Sequence, residues 1–165
     1  MFAKSMQNFL YSFIIVAITA VFSSYFNRVG MDNFYSLIKL SDLTPPNIVF
    51  PIVWAVLYLL LINAFYLVIN NPKANKTLLK AANFLFIGGM FLQVLWCFAF
   101  FYCGHFLAGL VVIVVLDLVT MVMMEVFHKL HKYAGLILFP YLAWLFFASY
   151  LNWVVVELNG IAYGM

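Results

Sequence analysis

Apolar residues run along this chain in five long blocks, at about 9–26, 48–69, 81–103, 106–127 and 135–156, and polar residues collect between them. Each block is long enough to cross a bilayer. A helix rises about 1.5 Å per residue and the hydrocarbon core is about 30 Å thick, so some 18 to 23 residues span it with modest tilt. Inside lipid every backbone amide needs an internal partner, and the blocks lack the ten-residue alternation of barrel strands. The pattern predicts an all-α integral membrane protein, a bundle of five transmembrane helices. No linker-like or charged tract divides the chain, so residues 1–165 read as a single five-helix domain.

Composition agrees, since of 165 residues 68% are apolar, 20% aromatic and only 8% charged, against about 25% charged in soluble domains. The charges sort by end. Lys4 precedes the first block, Lys73, Lys76 and Lys80 lie between the second and third, and Lys129 and Lys132 lie between the fourth and fifth. The opposite end holds Arg28 and Lys39, in a loop shared with Asp32 and Asp42. The positive-inside rule then puts the N-terminus in the cytoplasm and the C-terminus outside. These lysines serve topology, and the net charge of +3 calls for no nucleic-acid partner. The first block is longer than a signal-peptide core and no A-x-A-like site follows, so it reads as a span. Cys97 and Cys103 fall on different faces of one helix and read as packing residues.

Polar groups at membrane depth ask for a reason. Asp117 sits midway along the fourth block with no basic residue at its depth, and is expected to be neutral or bonded to a neighbouring helix; a helix contact and a ligand or proton role both stay open. Gln93, Trp96 and Phe100 share one face of the third block, which can line a pocket or join two helices. Asn63 points away from Trp54 and reads as packing. Glu125, His128 and His131 recur every third residue where a helix leaves the membrane, the H-E-x-x-H order is absent, and no metal is expected. His105 reads as interfacial.

Two stretches stand out, residues 44–58 and 140–152, each opening an apolar helix with proline and then setting aromatic and small residues at one-turn spacing. Trp54, Tyr58, Leu61 and Phe65 make one stripe; Trp144, Ala148, Leu151 and Asn152 make another. Such stripes are usually core. Here indoles, a phenol, an amide and an alanine combine flat walls, donors and open volume, which suits a planar, largely apolar guest.

At these residues the chain resembles the translocator protein and tryptophan-rich sensory protein family, also called the peripheral benzodiazepine receptor family. Pro45-Pro46, Val49-Phe50, Val53-Trp54, Leu57-Tyr58 and Ala64 with Tyr66-Leu67-Val68 match its first loop and second helix. Trp96, Phe100-Phe101 and Gly104 match its third, Leu116-Asp117-Leu118 its fourth, and Pro140 to Trp144, Phe147-Ala148 and Leu151-Asn152 its fifth, within coverage from about Tyr35 to Asn159. The resemblance implies a five-helix bundle, often a homodimer, whose pocket opens beneath the first loop and takes porphyrins, sterols and drug-like isoquinolines. It implies ligand-binding residues Trp54, Tyr58, Gln93, Trp96, Trp144, Ala148 and Leu151. Trp54 and Trp144 would be wall indoles facing a common cavity, and Ala148 the small residue whose size sets the fit. It implies no required cofactor; porphyrin or haem would be ligand.

Departures from the family pattern bear on the guest. Leu43 and Ile48 stand where tryptophans usually flank the proline pair, Gln93 replaces the usual asparagine, and Asn63 and Ile62 occupy the place of a helix glycine. Trp153 to Glu157 carries an acid where a proposed cholesterol motif has a basic residue, so sterol is discounted. The expected function is a membrane receptor or carrier for a planar tetrapyrrole or similar amphiphile. Two alternatives are a light- or oxygen-dependent porphyrin-degrading enzyme at the same pocket, using Trp54 and Trp144, and an accessory subunit of a membrane complex with no small ligand.

Overall fold

A computed structural model describes residues 2–164. Five helical spans are long and apolar enough to cross a membrane: Ala3–Tyr35, Val49–Ile69, Lys76–Tyr102, Phe106–Leu130 and Lys132–Asn159. The first span is helix α1 (Phe2–Gly30) continued by a π-helical turn, Met31–Tyr35. Helix α2 covers Val49–Ile69, α3 Lys76–Cys97 with a second π turn at Phe98–Tyr102, and α4 Phe106–Leu130. The last span is two helices, α5 (Lys132–Ile137) and α6 (Phe139–Asn159).

Local chemistry explains where these elements start and stop. Asn75 caps α3, its extended backbone letting Oδ1 accept from the amides of Thr77 at 2.9 Å and Leu78 at 3.2 Å, which satisfies two orphan donors. Pro140 lies in the first turn of α6, where its missing N–H is tolerated; further inside a helix it would remove a bond. The fifth apolar block is therefore broken at Leu138. Gly104 ends the third span with φ +65°, and the His105 amide reaches back to the Ala99 carbonyl at 2.9 Å, in the manner of a glycine C-cap.

The helices form a ring. Helix α1 packs on α2 and α3, α4 lies between α3 and the α5–α6 pair, and α2 closes the ring by packing on both α1 and α5. At the end that holds the chain's start, the bundle is dense: Phe65 stacks on Phe86 with centroids 3.9 Å apart and planes 13° apart, and Phe127 lies 6.1 Å from Phe65. Side-chain clasps close that end, Ser5 to Tyr66 at 2.8 Å and the Asn71 amide to the Leu130 carbonyl at 2.7 Å.

The other end is looser and covered by the segment between Tyr35 and Val49. Phe34 stacks on Tyr163 at 5.1 Å, and the Tyr163 amide donates to the Gly104 carbonyl at 2.9 Å, so the chain's tail, the first π turn and the α3–α4 turn meet. Helix α1 comes very close to the second π turn at Gly30, where an added Cβ would stand 2.6 Å from the Phe101 carbonyl oxygen. No flexible side chain is there to yield. Gly30→Ala should therefore force the π turn outward and lower stability by about 1–3 kcal/mol, read as a fall in the melting temperature of the detergent-solubilised protein.

Candidate functional site

A cavity of about 350 Å³ lies in the looser half of the bundle, beneath the α1–α2 loop. Its walls grow from the second and third helices. Trp54 and Tyr58 sit one turn apart on α2, with rings 5.6 Å apart; further along the same stripe Leu61 and Phe65 are fully buried in the core. One stripe thus serves as wall at one end and packing at the other. On α3, Gln93 and Trp96 line the cavity with Phe100 and Phe101 from the π turn. Trp96 lies 6.3 Å from Trp54 and 5.9 Å from Phe101. Ala148 and Leu151 of α6 complete the apolar wall.

Asn152 fixes this wall in place. Its Oδ1 accepts from the Trp96 indole at 3.1 Å and its Nδ2 donates to the Phe106 carbonyl at 2.9 Å, joining α6, α3 and the start of α4. Room for the amide comes from Gly109, where a Cβ would stand 3.1 Å from Asn152 Oδ1 and 2.9 Å from Phe100 Cβ. Gln93 serves both of its expected roles in geometry, lining the cavity and accepting a long 3.4 Å bond from Tyr141.

Of the seven expected site residues the cavity brings together six: Trp54, Tyr58, Gln93, Trp96, Ala148 and Leu151. Trp144 is elsewhere. It lines a separate, open apolar groove with Ile52, Val56, Pro140 and Phe147 between α2 and α6. The expectation that Trp54 and Trp144 share one cavity is corrected. The α6 stripe is wide, and a residue four positions before Ala148 rotates far enough to lie behind Phe50, which it meets edge-on at 5.9 Å. Phe50 itself lines the cavity, and Trp144 does not.

Other polar expectations also find their places. Asp117 Oδ2 bonds the Ser149 hydroxyl at 2.7 Å, so the carboxyl links α4 to α6 outside the cavity. Asn63 is exposed and bonds the Leu59 carbonyl of its own helix at 2.7 Å, so it does not pack against a neighbour. Glu125 pairs with Lys129 at 2.7 Å. Among the described residues no three metal-ligating side chains cluster. Cys97 is buried and Cys103 exposed, both free thiols.

Sequence reasoning missed the contribution of the first helix. Ser23, Ser24, Asn27, Arg28 and Met31 line the cavity and its mouth. The available signal was a polar stripe in an apolar helix: Ser12, Thr19 and Ser23 are all buried, with Val16 between them, at helical spacing. Ser23 Oγ is buried at the cavity edge with no hydrogen-bond partner among the described residues. Leu40, Thr44 and Asn47 supply the cover, and Asn159 holds it: the Lys39 amide donates to Asn159 Oδ1 and Asn159 Nδ2 donates back to the Lys39 carbonyl, both at 2.8 Å. Leu43 and Ile48, where tryptophans were expected, are exposed at 63% and 67% and leave the walls to other residues.

Five spanning helices enclosing an aromatic cavity define a multi-pass integral membrane protein. The chain belongs to the TspO/MBR family, whose model matches residues 12–158. It is similar to the tryptophan-rich protein TspO of Archaeoglobus fulgidus, 35% identical over 148 residues that cover 88% of this chain and 94% of the relative. It is also 35% identical to the protein of the same name from Chlorobaculum tepidum, over 76% of this chain and 79% of that one. A tryptophan-rich sensory protein of Cereibacter sphaeroides is 30% identical over 78% of each chain.

Removing the Asn152 amide tests whether it holds the wall. Asn152→Leu leaves the buried Trp96 N–H unpartnered, a loss of about 1–3 kcal/mol, and removes the second bond to the Phe106 carbonyl, which keeps its place in the α4 ladder. Thermal melts should show a clear loss, and Trp96 emission should change as the indole turns. An unchanged melt with unchanged emission contradicts the assignment.

Proposed function

We propose that this protein is a membrane receptor or carrier that binds a planar amphiphile, a porphyrin or other tetrapyrrole, in the cavity between α2, α3 and α6. The observation that carries this reading is the cavity itself: about 350 Å³, within the range of small-molecule sites, walled by two indoles and a phenol with the Gln93 amide at its edge. Flat aromatic walls stack on a flat guest, each contact adding about 0.5–1.5 kcal/mol beyond area burial. The names of the relatives, a sensory protein among them, suit a receptor. Open volume speaks against an accessory subunit whose pocket is filled by its own side chains.

The degrading-enzyme reading calls on both Trp54 and Trp144, and the second indole lines a separate groove. Binding without turnover therefore ranks first. Protoporphyrin and haem titrated into purified protein should quench tryptophan fluorescence saturably, with no protein-dependent pigment loss under illumination. Trp54→Ala should weaken protoporphyrin about three- to tenfold, whereas Trp144→Ala should leave affinity within about twofold. Ala148→Leu, adding three heavy atoms to the wall, should reduce affinity at an unchanged melting temperature. Equal affinity in wild type, Trp54→Ala and Ala148→Leu would sink the site; pigment loss that depends on Trp54 would promote the enzyme reading.

The cavity mouth is assigned to the outer face of the membrane, on the lysine distribution alone: six basic residues at the end holding the chain's start, two at the other. Single cysteines at Lys76 and Lys39 should label from opposite sides of intact cells or oriented vesicles, Lys39 from outside. Labelling of both from one side would contradict the orientation.

A further inference from the structure

The walls of the cavity are neutral, and its mouth is not. Among the described residues that border the open volume, Arg28 alone carries a charge, beside the neutral hydrogen-bonding groups of Asn27, Thr44 and Asn47. These four come from two elements, the last turns of α1 and the covering loop, and they converge on the rim. Polar character at this rim contrasts with the aromatic interior a helix turn or two deeper.

The guanidinium is nearly uncommitted. Among the described residues its one ionic contact is with Asp32, four residues on, at 3.9 Å, and the two side chains are 85% and 71% exposed. Charge-assisted bonds run about 2.7–2.9 Å, so this is proximity without a bond, and exposed pairs of this kind contribute about 0–1 kcal/mol. Arginine offers five donors in a planar fork that a carboxylate can meet with both oxygens. A guest carboxylate at the mouth therefore outcompetes Asp32. A flat guest lying against Trp54 and Trp96 shares its cavity with Arg28, so an edge of the guest turned toward the rim meets the guanidinium.

We propose that Arg28 is a specificity-determining residue that pairs with an anionic edge of the ligand, so that the natural guest is an acidic planar amphiphile, apolar ring inward and carboxylate at the mouth. This rests on the reading that the cavity takes a planar amphiphile and adds the charge of that ligand and the residue that reads it. Asp32 has the opposing role. It competes for the guanidinium and repels an incoming carboxylate, which restrains affinity for acids and leaves neutral guests untouched.

The test compares matched acids and neutral analogues on the full-length protein in dodecyl maltoside micelles: protoporphyrin against its dimethyl ester, and pyrenebutyrate against pyrenebutanol. Affinities are measured for wild type, Arg28→Gln and Asp32→Asn. Wild type should favour each acid, and Arg28→Gln should weaken the acids about five- to tenfold while leaving the ester and the alcohol within about twofold. Asp32→Asn should tighten the acids about two- to threefold, and added salt should weaken them in wild type but not in Arg28→Gln. Equal losses for acids and neutral analogues in Arg28→Gln overturn the inference and make Arg28 a structural rim residue. No loss for either overturns it as well, and fits a guanidinium held by lipid phosphate. If wild type binds neither member of either pair, the cavity reading itself fails. Binding of both members with no acid preference leaves that reading intact and removes only the charge assignment.

Discussion

Every polar group that these helices carry into hydrocarbon must find its partner on the protein, and Asn152 meets that constraint for the half of the bundle that holds the cavity. Its amide has one acceptor and one donor engaged, on Trp96 and on the Phe106 carbonyl. Two of the three helices so joined, α3 and α6, supply side chains to the wall, and α4 backs it. Because the indole donates along a fixed direction, its ring plane is fixed too, and Trp96 stands as a flat surface instead of collapsing into the open volume. Gly109 belongs to the same device, since a methyl group there would meet both the amide oxygen and Phe100. At the opposite end of the bundle Phe65, Phe86 and Phe127 stack and fill the interior instead.

The cover depends on a second amide. Asn159 clasps the Lys39 backbone through both its side-chain atoms and also bonds the Val155 carbonyl of its own helix at 2.9 Å. A surface loop of this length would otherwise sample many conformations at little enthalpic loss. Clasped at Lys39 and rooted in α1 by the π turn at Met31–Tyr35, it is restrained at both sides of the opening. The second π turn plays a comparable part for the wall. One extra residue in the turn, marked by the Cys103 amide bonding to the Phe98 carbonyl at 2.9 Å, rotates the end of α3 so that Phe100 and Phe101 both turn inward. π turns of this kind recur at functional sites.

Much of the fold was legible because hydrocarbon imposes long apolar blocks: the second block matches its span to within one residue, and the first and fifth spans run several residues beyond their blocks at both ends. Periodicity cannot see the extra turns at either end of α1, where Lys4 and Arg28 extend into the interface while the helix continues. The break at Leu138 was written in Pro140, yet an apolar block gives no sign of where the backbone yields. At the site, the stripe of Trp54 and Tyr58 and the face of Gln93 and Trp96 were readable, since each lies on one helix and spacing alone defines its direction. Trp144 was misplaced for the complementary reason: which part of a wide stripe faces the interior depends on how α6 is rotated against α2, a tertiary quantity. The hydroxyl stripe of α1 was available in Ser12, Thr19 and Ser23. It went unused because single serines in apolar helices so often bond their own backbone, as Ser12 and Thr19 do here to the carbonyls of Asn8 and Ile15 at 3.1 and 3.0 Å.

An open apolar cavity in a close-packed bundle leaves its wall atoms without dispersion partners on one side. The wall holds because its stiffest members are fixed from behind, Trp96 by Asn152 and the cover by Asn159, so closing the space would break the buried Trp96–Asn152 bond or the exposed clasp at Lys39. A guest that fills the volume restores the missing contacts without disturbing those bonds. Affinity then comes mainly from shape and apolar area, and the few polar groups choose among guests of similar shape. This division accounts for the tolerance of the chain's departures from its family: Leu43 and Ile48 lie outside the wall, and a glutamine at position 93 keeps the amide while moving it by one methylene. On the proposed reading, changes to wall volume, as at Ala148, would act on every guest, and changes at the rim, as at Arg28, on the charge of the guest and not on its size.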